Sequence, residues 1–593
     1  MADSPSPWPI IGAARHISLD SSAQECMELA KTWFHDCWWN HSCGSKYGPL
    51  PTRVLQLNRD DDTVYLLEPE GRVKEPFVAL SHCWGKVIPI KTTKDNLEKH
   101  KQGIPVTDLP KTFQDAVTIC REMRKHYLWI DSLCIIQDSE EDWEQEASNM
   151  ARVYAAADFT IAAHSASDST GGCFVPRSNA GEEPFSTVEY VGPKNERGSV
   201  FIRLEPPGCP HGDHLSEDLP QSRKTGPSKL STRGWVFQER LLSRRTLHYT
   251  PYELVFECDE SFQCECTLTH SGLPVGLVKY KRRYIERLLH SNLKPLSIAD
   301  YTDSDAFLAY SLQKIMDIKD RNPRMELDWP SVVEEYTRLD LTFASDRLPA
   351  LYGLAGARER VTKTPAHKNQ YLFGLWRDNL LPGLLWQVGT RNYLSADKYV
   401  SKRQPSSYAP TWSWASVTGP VRYDDDFRTV DYSDPKKLQP YRERFNIIEV
   451  KATPSTNHPF GPGMGSITFM CPLVPLRLKH IGTLDDFCSK SFIAASKKAI
   501  PGEDHCPFGF FNPDVRDNGF EFSQTDDDQN EYFFMILSHI GLQGIHKYGR
   551  KAVGLVVKKC GESRFTRIGF MHNPQYDLRD WEDVAEMAIA ILQ

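Results

Sequence analysis

Ser81 and His82 follow a short apolar run in the stretch Phe77-Val-Ala-Leu-Ser-His-Cys-Trp-Gly85. A hydroxyl and an imidazole placed after a buried strand sit where open α/β sheets bind ligands. They can hold phosphate or ribose, and an imidazole can titrate near neutrality. The other reading is a buried turn whose side chains are satisfied. Trp84 can stack on a base or pack in the core. Asp131 lies inside the apolar run Tyr127-Leu-Trp-Ile-Asp-Ser-Leu-Cys-Ile-Ile136. A carboxylate there is costly unless it is hydrogen-bonded or stands at the strand's functional end. It therefore either anchors backbone amides or touches a ligand.

Cysteine and histidine offer a second chemistry. Cys37, His41 and Cys43 form Cys-x3-His-x-Cys with His35 nearby, and Cys258, Cys264 and Cys266 form another group. Thiolates and imidazoles suit zinc, but neither spacing is the paired Cys-x2-Cys knuckle. The default expectation is no metal, with Cys37, His41 and Cys43 as the residues that would hold zinc. No Walker-type glycine-rich loop and no Gly-x-Ser-x-Gly elbow occurs, which excludes those nucleotide-binding and hydrolase motifs. Phe460-Gly-Pro-Gly-Met-Gly465 reads as a turn between strands.

The elements that must position these residues alternate. Ala23 to Trp38 reads as a helix, and Pro51 to Leu67 as two strands around the acidic turn Asp60 to Asp62. Phe77 to Ser81 is a strand running towards Gly85, a glycine that marks a sharp turn or a close backbone approach. A helix follows, with Asp108 as cap, Pro110 in the first turn and Phe113, Ala116, Val117 and Cys120 on one face. Tyr127 to Ile136 reads as a buried strand. Ser139-Glu-Glu-Asp142 has the pattern of a capping box, with Asp138 as another candidate to begin that helix, and Trp143, Ala147, Met150 and Tyr154 share its face. Phe159 to Ala163 is the third strand. This order predicts an α/β fold with a parallel sheet flanked by helices.

A polar Pro- and Gly-rich stretch from about 171 to 230 reads as an insertion, with one strand at Ser199 to Leu204. Strands are expected again at Arg245 to Tyr249 and Glu253 to Cys258. The expected domains are an N-terminal leader (1–74), an α/β domain (75–275), a helical region (276–365) and a β-rich C-terminal domain (366–593). In the last, strands are expected at Tyr371 to Leu375, Thr411 to Val417, Phe445 to Val450, Ile467 to Phe469, Tyr532 to Ile540 and Ala552 to Lys558.

The 593 residues exceed one ordinary core, so several domains are expected. Hydrophobic residues at 40% and charged residues at 25% describe a globular chain. A net charge of −8 gives no broad attraction to polyanions, so no nucleic-acid partner is expected. Met1 to Ile10 hold no basic region followed by an apolar run, and no stretch approaches the length of a membrane span. A cytoplasmic protein is expected. Its fifteen cysteines would then be mostly reduced, and an odd count also argues against a complete disulfide framework.

Three blocks resemble the heterokaryon incompatibility (HET) family of fungi. They are Val78 to Gly85; Leu128-Trp-Ile-Asp-Ser-Leu-Cys-Ile-Ile-Gln-Asp138, continuing through Trp143 to Met150-Ala-Arg-Val-Tyr154; and Arg233-Gly-Trp-Val-Phe-Gln-Glu239, continuing to Ser243 and Arg245. The resemblance covers roughly residues 75 to 240, with a weaker likeness through Asp346-Arg-Leu348, Leu384-Leu-Trp386 and Thr411-Trp-Ser-Trp414. It implies self/non-self recognition and programmed cell death after hyphal fusion, with an incompatibility partner protein or self-association. The family is itself distantly similar to TIR domains, whose glutamate cleaves NAD at the nicotinamide–ribose bond. The stretch Trp235-Val-Phe-Gln-Glu239 resembles that glutamate's surroundings, with Val236 where TIR domains have cysteine.

By this resemblance Glu239 is the catalytic candidate. Ser81, His82, Trp84, Asp131, Arg233, Trp235 and Gln238 are candidates for substrate binding, and NAD or a related nucleotide is the substrate, with no cofactor required. Arg233 and Gln238 flank the glutamate and can orient it or bind phosphate. The alternative is a surface Glu239, solvated or paired with Arg240 or Arg244. The resemblance also leaves open a non-enzymatic self-associating module and an enzyme of fungal secondary metabolism.

Overall fold

A computed structural model describes residues 17–265 apart from 42, 44–47, 59–61, 70, 72, 87–89, 178–185, 192–196 and 203–227. It also describes residues 329–593 apart from 362–370, 378–379, 390–400, 424–444, 456–459, 481–491, 498–507, 516–530, 541–550 and 573–583. The chain divides into two compact units, Met1–Leu327 and Asp328–Gln593.

In the first unit, α1 (Gln24–Asn40) precedes the strands β1 (Val54–Leu57), β2 (Thr63–Leu67) and β3 (Val78–Ser81). Then come α2 (Leu97–Gln102), β4 (Ile104–Pro105), α3 (Lys111–Glu122), β5 (Tyr127–Trp129), a single helical turn α4 (Asp131–Cys134), α5 (Glu140–Ala156) and β6 (Phe159–Ala163). A hairpin of β7 (Ser186–Val191) and β8 (Arg197–Ile202) is followed by α6 (Gly234–Leu242), β9 (Arg245–Tyr249), β10 (Leu254–Cys258) and β11 (Phe262–Cys264). Nine strands form one sheet in the order β11-β10-β9-β6-β3-β5-β1-β2-β4.

Only the centre of this sheet is parallel. β3 runs parallel to β5 and to β6, and β6 parallel to β9. The flanks are antiparallel, because β9, β10 and β11 follow one another through short turns, as do β1 and β2. A short turn reverses the chain, whereas a parallel neighbour needs a helical crossover. The expected parallel sheet is thus corrected to a mixed one. Numbered along the chain, its four parallel strands stand in the order 2-1-3-4. A doubly wound sheet with this order has its switch point, and its ligand crevice, between the first and third strands, here β3 and β6.

Residues 54–67, read above as strands of a leader, pair within this same sheet. The expected strand Tyr127 to Ile136 ends at Trp129; Asp131 begins the α4 turn, where its own carboxylate accepts the Ser132 N–H at 2.7 Å. Arg53, almost fully buried on the segment leading into β1, holds this turn by donating to the Cys134 carbonyl at 2.8 Å and pairing with Asp142. Asp142 also accepts the Ile136 N–H, so it does not complete a capping box; Ser139 stands at the N-cap without a side-chain bond. Asp138 does not cap α5 either, since it accepts the Lys94 N–H. Pro110, not Asp108, is the N-cap of α3. The strand expected in the insertion is β8, hairpinned with β7. Residues 266–328, most of the expected helical region, lie outside the described residues, as does Cys266.

The second unit begins with the helices α7 (Trp329–Thr337), α8 (Tyr352–Val361) and α9 (Leu380–Leu384) and two small hairpins, β12 (Tyr371–Leu372) with β13 (Leu375–Trp376) and β14 (Trp386–Val388) with β15 (Val421–Tyr423). Antiparallel strands follow: β16 (Asn446–Pro454), β17 (Gly463–His480), β18 (Phe492–Ser496), β19 (Phe508–Pro513), β20 (Tyr532–Ile540), β21 (Lys551–Lys559) and β22 (Arg564–His572), with β23 (Glu586–Leu592) beside β17. Because β17 pairs with both β18 and β20, strands 17-18-19-22-21-20 close into a ring. The expected strand Thr411 to Val417 is instead a turn with a short 3-10 helix (Trp414–Ser416), in which the Ser413 hydroxyl caps the Ala415 N–H.

Candidate functional site

The loop after β3 and the helix before β9 meet through Arg233. Arg233 occupies the N-cap of α6 and donates to the His82 carbonyl. This contact brings the end of β3 and the start of α6 together across about 150 residues of sequence. One face of α6 then turns inwards, burying Gln238 and Glu239. Arg240 leaves on the other side and pairs with Glu257 at 3.0 Å, and the Arg244 guanidinium donates to the Cys43 carbonyl. Glu239 is therefore neither a solvated surface carboxylate nor, in these contacts, the partner of those arginines; it is 5% exposed.

Around Glu239 stand Ser81, Tyr154, Arg233 and Asp131. Burial raises the Glu239 carboxyl from 4.5 to about 7; Ser81, Arg233 and Tyr154 oppose the rise, and the Asp131 charge adds to it. The Ser81 hydroxyl favours the carboxylate without meeting hydrogen-bond geometry, and it has no hydrogen-bond partner among the described residues. Tyr154, on α5, donates its hydroxyl to the Leu80 carbonyl at 3.3 Å. Burial also pushes the Tyr154 phenol well up, so it stays a neutral donor.

Asp131 stands beyond the carboxyl end of β5 and is partly exposed. Trp84 Nε1–H donates to its Oδ2 at 2.9 Å, and the ring is only partly buried, so this tryptophan is not sealed in the core. The His82 ring lies 3.8 Å from Asp131 through Nδ1 and meets Phe113 edge-on at 4.9 Å between centroids. Burial lowers His82 to about 4, so it is neutral at physiological pH and does not titrate near 7. Gly85 has φ +78°, and a Cβ there would lie 2.1 Å from Asp168 Cβ; the turn after the strand needs glycine for both reasons.

Thus Ser81, His82, Trp84, Asp131, Arg233 and Glu239 converge beyond the carboxyl end of β3, Asp131 coming from the β5 side and Arg233 and Glu239 from α6. Gln238 is buried beside them on α6. Trp235 is set apart: it is half-buried and meets Trp143 of α5 edge-on at 6.4 Å. Val236 packs with Cys83, Ala162 and Leu230. Two features escaped the sequence reading. Tyr154 looked like one apolar-face residue among others. The second is a buried relay in which His164 Nε2 meets His248 Nδ1 at 2.9 Å and His248 Nε2 meets Glu257 at 3.1 Å. Its one sequence signal is polar residues within or next to apolar strands.

Cys37, His41 and Cys43 also come together, but their partner is Cys258. The ligand atoms of these four lie within 4.8 Å of one another. Cys264 packs instead with Val255 and Phe262, and His35 is exposed against Trp39.

The family described as Heterokaryon incompatibility protein (HET) matches residues 77–239. The chain carries a HET domain. That segment runs from the residue before β3 to Glu239 itself, so every residue converging at the site falls within it. No curated protein and no solved structure matches the chain. Among the described residues no helix is long and apolar enough to cross a membrane.

Proposed function

We propose that this HET domain hydrolyses the nicotinamide–ribose bond of NAD or a related nucleotide, with Glu239 as the catalytic carboxylate, and that the protein acts as an effector of fungal heterokaryon incompatibility and cell death. The observation that carries the reading is the buried, raised carboxyl of Glu239 at the carboxyl ends of parallel strands. Perturbed acids placed there mark functional sites. The similarity of the family to TIR domains and the 2-1-3-4 strand order support it.

In this reading the bond from ribose C1′ to the nicotinamide nitrogen breaks, the nitrogen keeps the electron pair, and water adds at C1′ with release of a proton. The ribose passes through an oxocarbenium-like state, as in glycoside hydrolysis. A carboxylate in a dry site stabilises that charge strongly. A cationic substrate also draws Glu239 into its ionised form. In this reading Ser81, Asp131 and Arg233 bind ribose hydroxyls and phosphate, and the partly exposed Trp84 stacks on a base.

One observation favours a second reading, a recognition module that works by self-association. Glu239 is only 5% exposed, so substrate entry requires local opening. The two are separated by incubating purified protein with NAD and following nicotinamide release and oligomeric state together. The catalytic reading expects turnover that falls about a thousandfold in Glu239→Gln, with loss of toxicity on overexpression in a fungal host. Association and toxicity without nicotinamide release in either protein would establish the module instead.

A further inference from the structure

We propose that Cys37, His41, Cys43 and Cys258 bind one zinc ion as a structural Cys3His site that clamps the N-terminal helix to the edge hairpin of the sheet. Three of the four ligands come from one short segment. Cys37 lies in the last turn of α1, and His41 is that helix's C-cap residue, its N–H donating to the Cys37 carbonyl. Cys43 follows two residues on. The fourth, Cys258, ends β10, 217 residues away from His41. Cys37 and Cys258 are fully buried and Cys43 is 3% exposed.

The geometry suits zinc. Four ligands at about 2.0–2.3 Å from a tetrahedral ion lie roughly 3.5–3.8 Å from each other. Cys258 Sγ and His41 Nδ1 are 3.3 Å apart, and all four ligand atoms fall within 4.8 Å. Soft sulfur and imidazole donors favour zinc over the oxygen-seeking cations.

The surroundings are built for thiolates. Cys258 Sγ accepts the Ser261 N–H at 3.1 Å and the Glu260 N–H at 3.4 Å, and the Ser261 hydroxyl lies 3.2 Å away. Donors aimed at a sulfur from the following turn hold it in its charged form and fix its direction. Arg245 is 2% exposed, and its Nε donates to Cys37 Sγ at 3.1 Å. Zinc with three thiolates and a neutral imidazole carries one negative charge, which a buried arginine offsets. Four protein ligands close the coordination sphere, so the ion has no open position for a substrate and its role is structural.

The clamp joins the two stretches of sequence that flank residues 77–239. It fastens α1, before the HET segment, to β10, after it. The HET segment is thus the interior of a larger folded unit held together at its margins.

The test is metal analysis of the full chain purified under reducing conditions without chelator. One zinc per chain is expected, with Cys258→Ser and Cys43→Ser losing it and Cys264→Ser, in the same hairpin, keeping it. Exchange with cobalt should give the intense visible bands and thiolate charge-transfer absorption of a tetrahedral sulfur-rich site, and these do not depend on how well a variant folds. Strong chelator should lower the melting temperature of the wild-type chain. Folded wild-type protein without stoichiometric zinc and without cobalt–thiolate bands overturns the proposal. So does Cys258→Ser that keeps its zinc, or mapping of two of these cysteines to a disulfide in freshly prepared protein.

Discussion

Each unit buries a charged side chain, and the two are treated in opposite ways. In the second unit Arg567 is 1% exposed and its guanidinium is well paired. It donates to both oxygens of Asp514 at 3.0 and 3.1 Å and to the Leu384 and Trp386 carbonyls, and it lies 3.4 Å from the centroid of the Trp386 ring. Asp514, itself fully buried, also takes Arg403 at 3.2 Å. In the first unit Glu239 has the hydroxyls of Ser81 and Tyr154 and the charge of Arg233 nearby but no ion pair among the described residues, and it gives up part of its ionisation instead. A buried charge that serves architecture is saturated with partners. One left short of them is a cost that folding alone does not explain, and such costs gather at functional sites.

The contrast can be broken most severely at Arg567. Arg567→Ala should lower stability by about 3–5 kcal/mol, because Asp514 is left buried with less compensation. Urea unfolding of the second unit measures it; a loss below about 1 kcal/mol would show that the pair is not structural.

Glu239→Gln should have the opposite sign. Between 4.5 and about 7 the folded protein holds a proton that the unfolded chain has lost, so stability falls as pH rises through that window. The full penalty, about 3 kcal/mol, is present above it. The variant should therefore unfold later than wild type at pH 8, with the difference shrinking towards pH 5. Melting curves at the two pH values check this, and a variant less stable at pH 8 would remove the contrast.

If the ionised carboxylate is the active form, nicotinamide release at low NAD should fall about tenfold per pH unit below 7. A flat profile would detach Glu239 from the chemistry. The smallest effect is expected at Trp235. Its ring is only half-buried, so Trp235→Ala should cost about 1–2 kcal/mol rather than the 3–5 of a fully buried ring. A thermal shift scan would show it, and a larger drop would place that ring among the core tryptophans.

Much of the centre was legible because local pattern decides it. Helix α1 and strands β3, β6 and β9 follow from periodicity and apolar runs, and the block around Glu239 is visible as a motif. The sheet's antiparallel flanks were not, since pairing direction depends on which strands meet. Asp131 hid inside an apolar run: Ile130, Leu133, Ile135 and Ile136 look like strand, yet Asp131 binds its own following amide and starts a helical turn. Gly463 and Gly465, read as a turn, lie in β17; a Cβ on either would come within 2.9 Å of the Phe373 ring. Cys258 and Tyr154 needed three dimensions, because their partners lie in remote segments and no short spacing announces them.

The sheet of the first unit is blunt at its margins. Among the described residues its outermost strands are Ile104–Pro105, two residues with a proline, and Phe262–Cys264, three residues. Proline offers no amide to a neighbouring chain, and so short a ladder gives an incoming strand little to grip. Addition of a strand at either margin is therefore an unfavourable way for a neighbouring chain to dock on the sheet of this unit.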